Sequence, residues 1–159
     1  MADGITEEAH LDSQIVELLG RQLLVEQLVR AGIEVAEPVR DRGIDLIAYV
    51  DKGDGLKVFE AKPVQMKASS DRAWGIDRKY AHFPGLILAY VWNVADPVNI
   101  VVYAMTYPEA LSIAEAMGYA KTSSWRDGGA YSSSSPSAPL VELLEAHRMT
   151  SERWRAKLK

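Results

Sequence analysis

The sequence predicts an α/β sandwich with a central mixed sheet and flanking helices. Three observations carry that expectation: an opening segment of helical periodicity, two groups of short apolar runs bounded by turn residues, and a second helical segment that starts at Pro108. At 159 residues, with 48% apolar and 25% charged side chains, the chain is long enough to build a core of its own and no longer than one domain needs. We read 1–159 as a single domain, with 12–105 as its core and 106–159 as a helical C-terminal elaboration.

In the first segment, Ile15, Leu18, Leu19, Leu23, Val25, Leu28 and Val29 are spaced for one broad helix face. Asp12 or Ser13 can cap its start, and Gly32 stands where a glycine ends a helix, so a helix is expected from about 12 to 31. Ile33 to Val39 alternates apolar and acidic residues and reads as a short half-buried strand closed by Pro38. Ile44 to Val50, the turn-rich Asp51 to Gly55 and Leu56 to Ala68 together read as a hairpin with a long second arm.

Ser69 to Pro84 is polar and mixed, with Trp74, Tyr80 and Phe83 as its expected anchors. Gly85 to Val94 and Asn99 to Met105 are two further strands, the first so apolar that both of its faces must be covered. Pro108 at a first-turn position opens a helix that Gly118 ends. By composition Lys121 to Pro139 is a loop, followed by two short helices over about 138–148 and 150–158.

Composition excludes several classes of function. With no cysteine there is no disulfide framework, thiolate metal site or thiol nucleophile. No run is long and apolar enough to span a membrane, and the acidic start MADGITEEAH is unlike a signal peptide, so a cytoplasmic protein with no membrane partner is expected. The three histidines show no ligand spacing, and the serines at 132–135 lack a neighbouring base or nucleophile-elbow glycines. A net charge of -4, from 18 basic and 22 acidic residues, argues against loose electrostatic binding of nucleic acid. That charge is unevenly spread. Lys62, Lys67, Arg72, Arg78 and Lys79 form a basic stretch able to face phosphate.

The informative residue is Asp45, a carboxylate at the entry of an otherwise apolar strand, where burial costs several kcal/mol unless the charge is paired or binds a cation. In the facing arm, Glu60 precedes Lys62 and Gln65 precedes Lys67, each by two positions, so either pair puts an oxygen and an ammonium on one strand face. A carboxylate and a second oxygen can hold a hard cation such as Mg²⁺, which offsets charge developing on a phosphate, while the lysine orients the attacking water.

With Gly43-Ile44-Asp45 followed by Val64-Gln65-Met66-Lys67-Ala68-Ser69, after a helix and a strand, the chain resembles the PD-(D/E)xK nuclease superfamily, in the branch that has glutamine for the triplet's acid. The resemblance covers about residues 12 to 70. It implies a restriction-endonuclease-like fold and Mg²⁺-dependent (or Mn²⁺-dependent) hydrolysis of phosphodiester bonds in DNA, or RNA. Asp45 and Gln65 would be metal ligands and Lys67 would position the water. A hairpin centred near Gly53 sets Asp45 opposite about Ala61 and favours Glu60/Lys62. Pro63, which lacks a backbone donor, and the small residues after Lys67 favour Gln65/Lys67, which we prefer, with Glu60/Lys62 as the alternative triplet. The family often adds an acid from the first helix. At about 100° per residue, Glu26 falls on the averaged apolar side and Glu17 on the opposite one, so Glu26 is the expected auxiliary acid and metal ligand. The plainer alternative has Asp45 capping a turn or pairing with Arg40 or Arg42, in a nuclease-fold protein that binds or regulates without catalysis, with a homodimer through exposed aromatics as one form of it.

Overall fold

The computed structural model describes residues 11–51, 59–83 and 85–158. Helix α1 (Ser13–Arg30) is capped by the Asp12 carboxylate, which accepts the Ile15 N–H at 2.9 Å. Gly32 turns the chain out of the helix with φ of 79°, a left-handed conformation that favours glycine. Strands β1 (Glu34–Ala36), β2 (Leu46–Asp51) and β3 (Phe59–Ala68) form an antiparallel meander. Strand β4 (Trp74–Asp77) and a 3₁₀ turn (Arg78–His82) then carry the chain across to β5 (Ile87–Trp92), which lies parallel to β3, and β6 (Val101–Thr106) pairs antiparallel with β5.

The main sheet is therefore mixed and five-stranded, in the order β1-β2-β3-β5-β6. Helix α2 (Tyr107–Ala116) opens with a capping box between Thr106 and Glu109 and has Pro108 in its first turn. Helix α3 (Ser123–Gly128), strand β7 (Ala130–Ser133), helix α4 (Ala138–Leu144) and helix α5 (Ser151–Lys157) complete the described chain.

Strand alternation divides the apolar residues between two cores, one on each side of the sheet. Ile87, Ala89 and Val91 of β5 face α1 and α5, together with Leu46, Ala48, Val64 and Met66. Leu88, Tyr90 and Trp92 face the opposite core, shared with α2, α3, α4 and the small β4–β7 sheet. The unbroken apolar run of β5 is thus explained, since both of its faces are buried. Helix α5 locks against α1: Trp154 is fully buried and its Nε1–H donates to Gln27 Oε1 at 2.6 Å.

The structure corrects several expectations. The stretch 121–139 contains α3 and β7, and β7 pairs with β4 across more than fifty residues, so 106–159 is not wholly helical. Phe83 is exposed and anchors nothing, whereas Trp74 and Tyr80 are buried as expected. Helix α1 packs a broad apolar face on the sheet, with Leu19, Leu23 and Val25 flanking its buried residues, but three residues expected on that face are not part of it. It buries Val16, Gly20, Leu24 and Leu28 and leaves Ile15, Leu18 and Val29 exposed. The hairpin turn expected near Gly53 lies outside the described residues. No described helix is long and apolar enough to cross a membrane.

Candidate functional site

At one end of the main sheet a cleft of about 520 Å³ opens between the start of α1, the β2–β3 edge and the β4–β7 sheet. Asp45, Gln65 and Lys67 all line it. The register explains why. Leu46 pairs with Val64, so Asp45 lies level with Gln65, and its own N–H donates to the Val64 carbonyl at 2.9 Å. Lys67, two residues further along β3, shares that face. The alternative triplet sits elsewhere: Glu60 pairs with Val50 and Lys62 with Ala48, which puts both on the α1 side of the sheet, away from Asp45.

Asp45 is only 12% exposed in its side chain. Its Oδ2 accepts the Met66 N–H at 2.7 Å, taking the place of a ladder carbonyl where the pairing ends. Its Oδ1 faces the Arg21 guanidinium at 3.9 Å, a loose approach, while Arg21 stands closer to Glu17 at 3.3 Å. Neither Arg40 nor Arg42 is its partner. Burial pushes the carboxyl above the usual aspartate range, outweighing the Met66 N–H and Arg21, with Asp41 and Glu17 adding to the rise.

Lys67 is turned inward, its Nζ 5.5 Å from the Tyr80 ring centre. Burial, then the nearby Lys79 ammonium, lowers its pKa against the opposing pull of Asp77 and Asp45. Lys79 sits over the same ring at 5.0 Å, so both ammoniums lie near Tyr80.

Gln65 donates through Nε2 to the Met66 carbonyl at 3.3 Å, but its Oε1 is buried without a hydrogen-bond partner. Trp74 Nε1, in another residue lining the cleft, is likewise unpaired. An unsatisfied buried oxygen beside a carboxylate suits a hard cation. What tight binding would need is a second carboxylate, and among the described residues no group of three His, Cys, Asp or Glu comes together to hold a metal.

Glu26 does not reach the cleft. Its side chain is 57% exposed and held by Arg30 at 2.9 Å. Averaging the apolar directions of α1 misplaced it, because the contact between helix and sheet is made at Gly20, a residue that adds nothing to such an average. A Cβ on Gly20 would lie 2.5 Å from the Cβ of Ala68. The acid that α1 brings to the cleft rim is Glu17. Sequence reasoning also missed Arg21, and it read Tyr80 and Trp74 only as anchors. Ser132 reaches the cleft through the β4–β7 pairing, for which the sequence carries no local signal.

No protein-family model, curated protein or solved structure significantly matches this chain. The class defined by these observations is a mixed α/β protein with an ionisable cleft at one end of its main sheet.

Proposed function

We propose that this protein is a divalent-metal-dependent nuclease of restriction-endonuclease-like fold that hydrolyses phosphodiester bonds in DNA. The observation that carries the reading is the meeting, in one open cleft, of a buried carboxylate, an unpartnered amide oxygen and an inward-turned lysine. Asp45 Oδ1 and Gln65 Oε1 would hold Mg²⁺ or Mn²⁺, which when bound supplies Lewis-acid stabilisation of the phosphate. Lys67, carried on a strand and backed by Tyr80, orients the attacking water and faces the charge that develops on the phosphoryl oxygens. Lys79, exposed at the rim, meets the flanking backbone phosphate. With one charged ligand and one neutral one, the cation is held weakly.

The test is cleavage of single-stranded, duplex and branched DNA with Mg²⁺ or Mn²⁺ by the wild type, Asp45→Ala and Lys67→Ala. Cleavage should be lost in both variants. Activity that survives both substitutions would overturn the mechanism. Mn²⁺ titration followed by calorimetry adds a readout independent of turnover. Asp45→Ala should abolish binding, and Gln65→Glu, by adding a charge, should tighten it. DNA binding without cleavage, and without Mn²⁺ binding, would favour the non-catalytic binding module.

A further inference from the structure

Helix α1 carries more apolar surface than the fold uses. Its core row is Val16, Gly20, Leu24 and Leu28. A second row, Ile15, Leu18, Gln22, Val25 and Val29, recurs at alternating spacings of three and four residues. At about 100° per residue, this row lies about 160° round the helix from the first. Ile15, Leu18 and Val29 are 40%, 55% and 56% exposed and belong to neither core, whereas Val25 is half-buried and packs in part against the α1-side core. Because the two rows oppose one another, the helix has almost no net amphipathicity despite its apolar content.

We propose that the outer row is a self-association seam whose occupant is the same row in a second copy of this chain, the two helices parallel and in register about a two-fold axis. The residue types specify that arrangement. β-branched Ile15 and Val29 share one heptad position and Leu18 takes the other, as in two parallel helices, with Val25 the one β-branched residue at Leu18's position, and Gln22 is the single polar residue in the middle of the seam that fixes register by meeting its own copy. The flanking charges agree. In parallel register Arg21 of one copy lies beside Glu26 of the other, five residues further on, and the same contact repeats across the axis. An antiparallel pair centred on the same row would set Arg21 against itself.

A helix footprint about 27 Å long and about 10 Å wide covers roughly 270 Å² a side, below the size of stable specific interfaces, so a weak, reversible dimer in the tens of micromolar or above is expected. No helix-folding cost opposes it, since the domain already holds α1 helical. Ser13 and Glu17 at the start of α1 line the cleft, so parallel pairing sets both clefts at the same end of the dimer. The inference stands on the helix alone and not on the nuclease reading.

The chain has no cysteine, so Leu18→Cys introduces a unique thiol on the seam. Under mild oxidation it should form covalent dimer at least about tenfold faster than Glu152→Cys, exposed on α5, because only the seam residue meets its own copy. In sedimentation velocity the wild type should pass from monomer to dimer between about 5 and about 500 μM. Leu18→Glu should remain monomeric while keeping its melting temperature, since Leu18 lies outside both cores. The proposal is overturned if Leu18→Cys crosslinks no faster than the control, if the wild type stays monomeric throughout, or if Leu18→Glu still dimerises. Crosslinking seen only when Ile15→Cys is mixed with Val29→Cys marks an antiparallel pair and also overturns it.

Discussion

Gly20→Ala tests how α1 seats on the sheet. In an exposed helix interior, glycine to alanine gains about 1 kcal/mol of helix propensity. Here the new methyl would stand 2.5 Å from the Ala68 Cβ, with Met66 Sδ and Val94 Cγ2 both at 3.7 Å. Two Cβ atoms cannot rotate apart, so the helix must lift from β3 by about 1 Å, and overpacking of this kind costs about 1–3 kcal/mol, at the upper end when both partners are fixed to backbone. After the propensity gain, a net loss of about 1–2 kcal/mol remains, worth about 3–6 °C in Tm for a chain of this size. The assay is a double-mutant cycle by thermal and urea unfolding over wild type, Gly20→Ala, Ala68→Gly and the pair. Ala68→Gly alone should cost about 0.5–1 kcal/mol, and it should recover most of the Gly20→Ala loss, giving a coupling of about 1–3 kcal/mol. A Gly20→Ala protein as stable as the wild type, or two substitutions that simply add, would refute the close seating.

Three further outcomes follow from particular contacts. Burial holds the Asp45 pKa above and the Lys67 pKa below their ordinary values, so each ionised group opposes folding at neutral pH. Asp45→Asn and Lys67→Met should therefore raise Tm near pH 7, and the Asp45→Asn gain should vanish below the ordinary aspartate range, where Asp45 is protonated in both states. Unchanged or lower Tm in both variants would refute the burial argument. Tyr90→Phe removes the hydroxyl that donates to the Gly75 carbonyl at 2.5 Å and leaves that acceptor unpaired. It should cost about 1–3 kcal/mol in urea unfolding, and a neutral result would show that the carbonyl finds another donor. Burial pushes Glu109 up, but the Lys157 ammonium at 2.6 Å and the Thr106 N–H outweigh it and leave the carboxyl below its usual range. Burial also lowers His147, against the pull of Glu109. For both groups the unfolded chain binds protons first, so stability should fall as pH drops below about 6.5 and again below about 4.5. Lys157→Met should lower stability at neutral pH and shrink the second fall, and an acid limb unchanged in that variant would refute the pairing.

Much of the fold is legible in the sequence because its signals are local. Asp12 and Gly32 bracket α1, the Thr106–Glu109 box and Pro108 start α2, and the all-apolar run of β5 announces a strand buried on both sides. The small second sheet was not legible. Strand β4 lies in a polar stretch and β7 in a serine-rich one, and each becomes a strand by pairing with the other. Neither has an alternation strong enough to be read alone.

The candidate site shows the same division more sharply. Asp45, Gln65 and Lys67 stood out as residue types out of keeping with their strands, which needs no knowledge of the fold. Choosing between Gln65 and Glu60 required the hairpin register, and a shift in the centre of the turn by two residues moves the partner of Asp45 by four. The helix acid was misread for a reason that the exposed row of α1 now explains. Ile15, Leu18 and Val29 pull the apolar average toward the outer face, and Gly20, the point of closest contact, has no side chain with which to pull it back. A helix with two apolar rows has no single inside direction to be read from sequence. Which row meets the sheet is decided by whether the strand can come close, and only the row with glycine allows Ala68 to do so.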